Sequence, residues 1–202
     1  MVYDPRIHHR KSIRLKGYDY SQEGLYFITI CVQNKKLLFG KIARPINPDS
    51  DPQLTLNNAG KMIEKWFLKL EDKFPDIKCD ICIVMPNHVH CIIVNKGANH
   101  INNVPNFDIP SIMGETSIVG EHLGSPLGST PGSHLGSVMQ WFKTMSTNEY
   151  IRGVKTLNWE RFDGKLWQRN YWEHIIRDER SYNAIRKYIV NNPRKWDVDK
   201  LK

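Results

Sequence analysis

Hydrophobic and polar positions in this chain alternate at two spacings, and the switches between them predict its elements. Residues 25–32 (Leu25-Tyr26-Phe27-Ile28-Thr29-Ile30-Cys31-Val32) are apolar on both faces and rich in β-branched and aromatic side chains, which predicts a central strand. Residues 79–85 and 88–94 are two further apolar runs separated only by Pro86-Asn87, a pair suited to a tight turn, and they predict adjacent strands. Residues 35–53 contain Gly40, Pro45, Pro48 and Pro52 and read as a hairpin-like excursion and loop. A helix is predicted over 57–72, where Met62, Ile63, Trp66, Phe67 and Leu70 recur at helical spacing, Asn57 or Asn58 caps the start and Phe74-Pro75 stops the end. A second helix is predicted over 138–152, with Val138, Phe142, Met145 and Tyr150 on one side. Residues 166–169 carry a short strand signal, and 171–177 is ambiguous, with Ile175 and Ile176 directed to a core. The last helix spans 178–192, opened by Asp178 and Glu179 and ended by Pro193.

The order β, α, β, β, α, β, α predicts an α+β fold of ferredoxin-like type. Its antiparallel sheet carries helices on one face, and a C-terminal helix carries Tyr188. Two stretches stand apart from this framework. Residues 1–20 read as a basic arm, and residues 95–137 as a flexible insertion. The second contains a near-repeat, His122-Leu123-Gly124-Ser125 and His134-Leu135-Gly136-Ser137, in a segment dense in Gly, Ser and Pro. With these appendages the chain is expected to form a single domain over 1–202.

Composition narrows the functional classes. A chain of 202 residues with 40% hydrophobic residues can build one ordinary core. No apolar run approaches the roughly 20 residues needed to span a bilayer. The start, Met1-Val2-Tyr3-Asp4-Pro5-Arg6, lacks the apolar stretch of a signal peptide, so a cytoplasmic location and no membrane partner are expected. Cys31, Cys79, Cys82 and Cys91 all lie in apolar segments, where reduced thiols act as small hydrophobes. A formal net charge of +8 favours a polyanionic partner, above all nucleic acid. In the arm, Arg14 and Lys16 interleave with Tyr18 and Tyr20, a composition suited to phosphates and stacked bases, or else to a solvated terminus.

The candidate chemistry begins with His88 and His90. Alternate residues of a strand share a face, so the two imidazoles project together, an arrangement suited to holding a divalent metal. The plain alternative is a strand whose histidines bond backbone or water. In the last helix Tyr188 follows Arg186 and Lys187, and Asn192 lies one turn further on the same side. A phenol beside cations and a neutral oxygen donor suits nucleophilic attack on a phosphodiester, whereas packing and helix capping would explain the same pair without chemistry. Trp167, Arg169, Tyr171 and Trp172 form a cluster fit for stacking bases and holding phosphates, or a set of core aromatics. Lys187, Arg194 and Lys195 are candidate phosphate contacts. His174 is a further candidate substrate contact.

Taken together, Met85-Pro86-Asn87-His88-Val89-His90, Trp167-Gln168-Arg169 and Tyr188-Ile189-Val190-Asn191-Asn192-Pro193 resemble the HUH single-tyrosine transposases, and within them the REP-associated tyrosine transposases. Ile13-Arg14-Leu15-Lys16-Gly17-Tyr18-Asp19-Tyr20 with Leu25-Tyr26-Phe27-Ile28-Thr29 also looks like the start of that family. The resemblance implies a transposase-like enzyme of DNA recombination that cleaves and joins single-stranded or hairpin DNA through a 5′-phosphotyrosine intermediate. By that likeness Tyr188 is the nucleophile and His88, His90 and Asn192 bind the metal; insertion-sequence relatives more usually carry Gln at the last position. Imidazole and amide donors that leave positions open suit magnesium or manganese. The family contains both monomers and homodimers.

Two other readings remain: a DNA-binding protein of the same fold without cleavage, and a zinc-stabilised DNA-binding module. The second would use Cys79-x-x-Cys82 with His88 and His90, although simple strand alternation would put Cys79 and Cys82 on opposite faces.

Overall fold

The computed structural model describes residues 15, 17–44, 51–97, 133–199 and 201. Its main sheet has four strands: β1 (Gly24–Cys31), β4 (Ile77–Met85), β5 (His88–Asn95) and β6 (Trp172–Ile176). They lie in the order β4-β5-β1-β6, every neighbouring pair antiparallel. Two short strands, β2 (Gly40–Ala43) and β3 (Gln53–Leu56), form a separate antiparallel pair from the excursion predicted over 35–53. The helices are α1 (Asn58–Lys73), α2 (Leu135–Thr156) and α3 (Glu179–Val190), and a 3₁₀ helix, Pro193–Val198, follows α3. This is the ferredoxin-like α+β arrangement that the order of elements predicts.

Burial explains the layering. Alternation along β1 and β5 sends Ile28, Ile30, Val89, Cys91 and Ile93 to one face, where they meet Ile63, Phe67 and Leu70 of α1 and Val138, Met139 and Phe142 of α2. The opposite alternation sends Leu25, Ile92, Val94 and Ile176 to the other face, against Tyr182 and Ile189 of α3. Strand β5 is therefore buried along all eight residues, on both faces. Local capping fixes the helix starts. The Asn57 side chain accepts from the Gly60 amide at α1, and Asp178 accepts from the Ser181 amide at α3.

Four expectations are corrected. Tyr18 and Tyr20 do not belong to a free arm: their rings lie 4.9 Å apart and pack on Tyr26, and Tyr20 is buried. Helix α2 begins at Leu135, inside the predicted insertion, with His134 as its N-cap. The fourth strand is Trp172–Ile176, whereas residues 166–169 contribute only the isolated Val32–Trp167 bridge. The chain leaves the sheet there because the Trp167 ring turns into the core beside Phe39 and Phe142. Finally, a register shift between Cys79 and Ile81 opposes two residues of β4 to one step of β5. Cys79 and Cys82 consequently both lie on the α1 side, paired with Ile93 and Cys91. Simple alternation would separate them.

Candidate active site

The face of the sheet that carries α3 also carries His88 and His90, opposite Cys31 and Thr29 of β1. The rings are 0% and 1% exposed, with centroids 4.6 Å apart. Each ring is oriented through its Nδ1. For His88 the partner is the Asn87 side-chain oxygen at 2.7 Å, and the Asn87 amide is itself fixed by donating to the carbonyl of Leu201 at 2.9 Å. An amide oxygen only accepts, so His88 Nδ1 carries the proton and Nε2 presents a lone pair. His90 Nδ1 lies 2.7 Å from Thr29 Oγ1, and its Nε2 faces the Tyr188 hydroxyl at 3.4 Å. A protonated phenol donates to that Nε2, which leaves Nδ1 to donate to Thr29.

Tyr188 reaches the histidines from α3 with its ring edge-on to Phe27 and His90. It is 37% exposed, so the hydroxyl lies between the buried imidazoles and solvent. Past the end of α3, Asn192 is buried, and the 3₁₀ helix stacks Trp196 on His88. The same segment delivers Asp199, whose carboxylate oxygen lies 3.6 Å from His88 Nε2. One donor atom each from His88, His90 and Asp199 lie within 4.8 Å of one another. His88 Nε2, Asn192 Oδ1 and Asp199 Oδ2 are all buried without a hydrogen-bond partner. Asn192 lies near enough to His88 and Tyr188 to affect the ionisation of both, while its Oδ1 has no hydrogen-bond partner.

Such atoms are costly to bury unsatisfied, and all three are lone-pair donors. Two imidazole nitrogens, an amide oxygen and a carboxylate make a hard-to-borderline donor set, which fits a divalent cation. The electrostatics point the same way. Burial pushes His88 down to about 4, against the opposing pull of the Asp199 charge and Asn192. Burial and then His88 push His90 down to about 3. Both rings are neutral near pH 7, the form that binds metal. Burial and the Asp199 charge raise the Tyr188 phenol above its ordinary value, against Asn192. A cation at this site would reverse that bias.

The structure thus brings His88, His90, Tyr188 and Asn192 together. It adds three residues that the sequence reading missed: Asp199, Asn87 and Thr29. Asn87 had a signal, since a metal-binding histidine usually needs an acceptor for its second nitrogen and Asn87 is its neighbour. Thr29 and Asp199 had none, because register and the course of the C-terminal segment bring them in. Of the candidate DNA contacts, Arg14 and Lys16 lie outside the described residues. Trp167 is a correction: it is 4% exposed and donates to the Ser146 hydroxyl, so it presents no face for a base. Arg169, Lys187, Arg194 and Lys195 are exposed, and Arg194 is paired with Asp51. The zinc-module reading is also corrected, since the Cys79 and Cys82 thiols lie on the α1 side and the imidazoles on the α3 side.

No family model matches the chain. An uncharacterized protein of Haemophilus influenzae is 38% identical over 201 residues, covering 98% of this chain and 96% of that one. Among solved structures, the REP-associated tyrosine transposase bound to a REP hairpin aligns over 93% of this chain and 76% of its own, with a TM-score of 0.53 and 17% identity. A candidate transposase of Deinococcus radiodurans covers 88% of this chain and 95% of its own at 13% identity, with a TM-score of 0.41. Among the described residues no helix is long and apolar enough to cross a membrane.

Proposed function

Because the chain belongs to one family with the Haemophilus influenzae protein and has the HUH transposase fold, we propose that it is a metal-dependent DNA strand-cleaving and strand-joining enzyme. Its substrate is single-stranded or hairpin DNA, in keeping with the hairpin bound to the REP-associated transposase. The observation that carries this reading is the 3.4 Å approach of the Tyr188 hydroxyl to His90 Nε2, beside donor atoms left without partners. His88, His90 and Asp199 hold a divalent cation, magnesium or manganese, with Asn192 as a further oxygen donor.

The bound cation supplies charge neutralisation at the scissile phosphate and lowers the phenol's affinity for its proton. The chain's own residues do the rest. Thr29 and Asn87 hold both imidazoles with Nε2 turned inward. Phe27, edge-on to Tyr188, holds the phenol beside them. Tyr188 Oη forms a bond to phosphorus, the bond to the 3′ oxygen breaks, the phenolic proton passes to solvent and the departing oxygen takes up a proton. The product is a 5′-phosphotyrosine and a free 3′-hydroxyl. Bond energy is conserved in the ester, so the reverse attack joins strands.

The test is a denaturing gel for a protein–DNA adduct on a labelled REP-type hairpin or its single strand with manganese present. Tyr188→Phe is expected to abolish the adduct and leave binding largely intact. An adduct at wild-type level would move the nucleophile to another tyrosine, such as Tyr182 or Tyr171. Cleavage that survives chelation would remove His88 and His90 from the mechanism. Binding without any adduct from the unaltered chain would leave a DNA-binding protein of this fold.

A further inference from the structure

Strand β6 forms one edge of the sheet, and among the described residues no strand pairs with its outer side. Its register with β1 pairs Trp172 with Thr29 and His174 with Phe27. Directly opposed residues of an antiparallel pair share a face. Trp172 and His174 therefore stand on the face that carries His90, since Thr29 is also opposite His90. Trp172 is 63% exposed, a large apolar area left to solvent on the open side of the site. His174 is exposed as well. Phe27 links the two regions, its ring stacked on His90 with centroids 5.5 Å apart and edge-on to Tyr188 at 6.0 Å. Two strand spacings, about 10 Å, separate the Trp172 backbone from that of His90.

Resting on the function proposed above, we infer that Trp172 is a stacking platform for an unpaired base of the DNA strand next to the phosphate attacked by Tyr188. His174 stands as a second ring beside it. The occupant is a single-stranded nucleic acid and not an apolar protein surface, because the ring stands on the face that carries His90 and Tyr188, where the proposed reaction brings a DNA phosphate. Exposed Arg169 and Arg177 bracket β6 in the chain, exposed Asp178, Glu179 and Arg180 follow it with mixed charge, and exposed Lys187 precedes Tyr188. Cations alternating with an exposed aromatic suit a phosphate backbone with splayed bases. A paired base hides both faces within its stack, so the platform also selects unpaired DNA over duplex.

Affinity is measured by fluorescence anisotropy in chelator, with fluorescein-labelled oligodeoxyadenylate, the same strand with single abasic sites, and a duplex. The Tyr188→Phe background keeps the measurement free of chemistry. Trp172→Ala is expected to weaken single-strand binding between about fivefold and about a hundredfold, the range for loss of one base–aromatic stack, while Trp172→Phe keeps most of it. One abasic position is expected to weaken the parent and not the Trp172→Ala chain, which identifies the stacked base. Equal affinity of parent and Trp172→Ala chains, or no such abasic position, would overturn the platform. So would a loss of dimer mass in light scattering with DNA affinity unchanged, which would make Trp172 an interface residue. Failure of the functional reading has a separate signature: Trp172-dependent binding without an adduct from the unaltered chain in manganese. An adduct formed normally by a Trp172→Ala chain of unchanged affinity would leave that reading standing without the platform.

Discussion

Replacing Thr29 by valine removes one hydroxyl and preserves shape, and it tests whether the sheet register orients the face of His90 proposed to bind the metal. Thr29 Oγ1 lies 2.7 Å from His90 Nδ1, and both residues are buried. In the Thr29→Val chain the Nδ1 proton has no acceptor, and stranding a buried donor costs about 1–3 kcal/mol. The ring can relieve that cost by moving its proton to Nε2, which blocks the nitrogen facing Tyr188 and the site. Two effects follow. In chelator, the melting temperature falls by about 2–4 °C for each kcal/mol lost, as for a protein of this size. Manganese affinity, read by calorimetric titration, falls about 10- to 100-fold, the usual effect of losing an outer partner of a metal-binding histidine. Thr29→Ser, which keeps the hydroxyl, retains most of the affinity. A Thr29→Val chain that is less stable yet binds manganese like the unaltered protein would refute the reasoning, because the hydroxyl would then serve packing alone.

Three other outcomes are expected. Asp199→Asn keeps shape but removes the charge beside His88, so manganese binding weakens at least about tenfold, and unchanged affinity in titration would exclude the carboxylate from the metal site. Acid destabilises the metal-free protein through the two imidazoles. Their folded values are about 4 and about 3, so below an unfolded value of about 6.5 the unfolded chain takes up protons that the folded one refuses. Stability contributed by the neutral rings is full above that value and falls as the pH drops from about 6.5 towards about 4, by up to about 1.4 kcal/mol per pH unit for each ring. Melting curves in chelator are compared with those of a His88→Gln, His90→Gln chain, and parallel pH profiles would count against this origin. Asp80→Ala removes the buried acceptor of the Tyr182 hydroxyl, at 2.9 Å, and the carboxylate near Arg186, so α3 loosens at a cost of about 3 kcal/mol or more. Hydrogen exchange is expected to speed up in Glu179–Val190 while β1 and β5 stay protected, and unchanged exchange in α3 would count against Asp80 as its anchor.

Local periodicity carries far in this chain. The two-residue spacing of His88 and His90 requires both rings to share a face wherever the strand lies, and the i, i+4 spacing of Tyr188 and Asn192 brings them to one side of the chain. The two-sided apolar runs around β1 and β5 identify the middle of the sheet, because only a strand covered on both faces can afford them. From these alone the element order and the α+β class can be read, while the choice of His88, His90, Tyr188 and Asn192 as a site comes from the resemblance of their sequence blocks to the HUH single-tyrosine transposases. Periodicity has no information about distance in space, and the remainder of the site depends on that. Thr29 lies 61 residues from His90 and meets it only through strand register. Asp199 sits in a short polar tail and reaches His88 because Trp196 stacks on that ring and Leu201 is tied to Asn87. An extra residue at Asp80 reverses the face of Cys79, which simple alternation cannot anticipate. The tryptophans are the clearest case: Trp167 and Trp172 look alike in sequence, yet one fills the core and the other faces solvent. Sequence spacing decides which side chains move together; which of them meet, and which remain open to a ligand, is decided by how the sheet and its two helical layers compete for buried area.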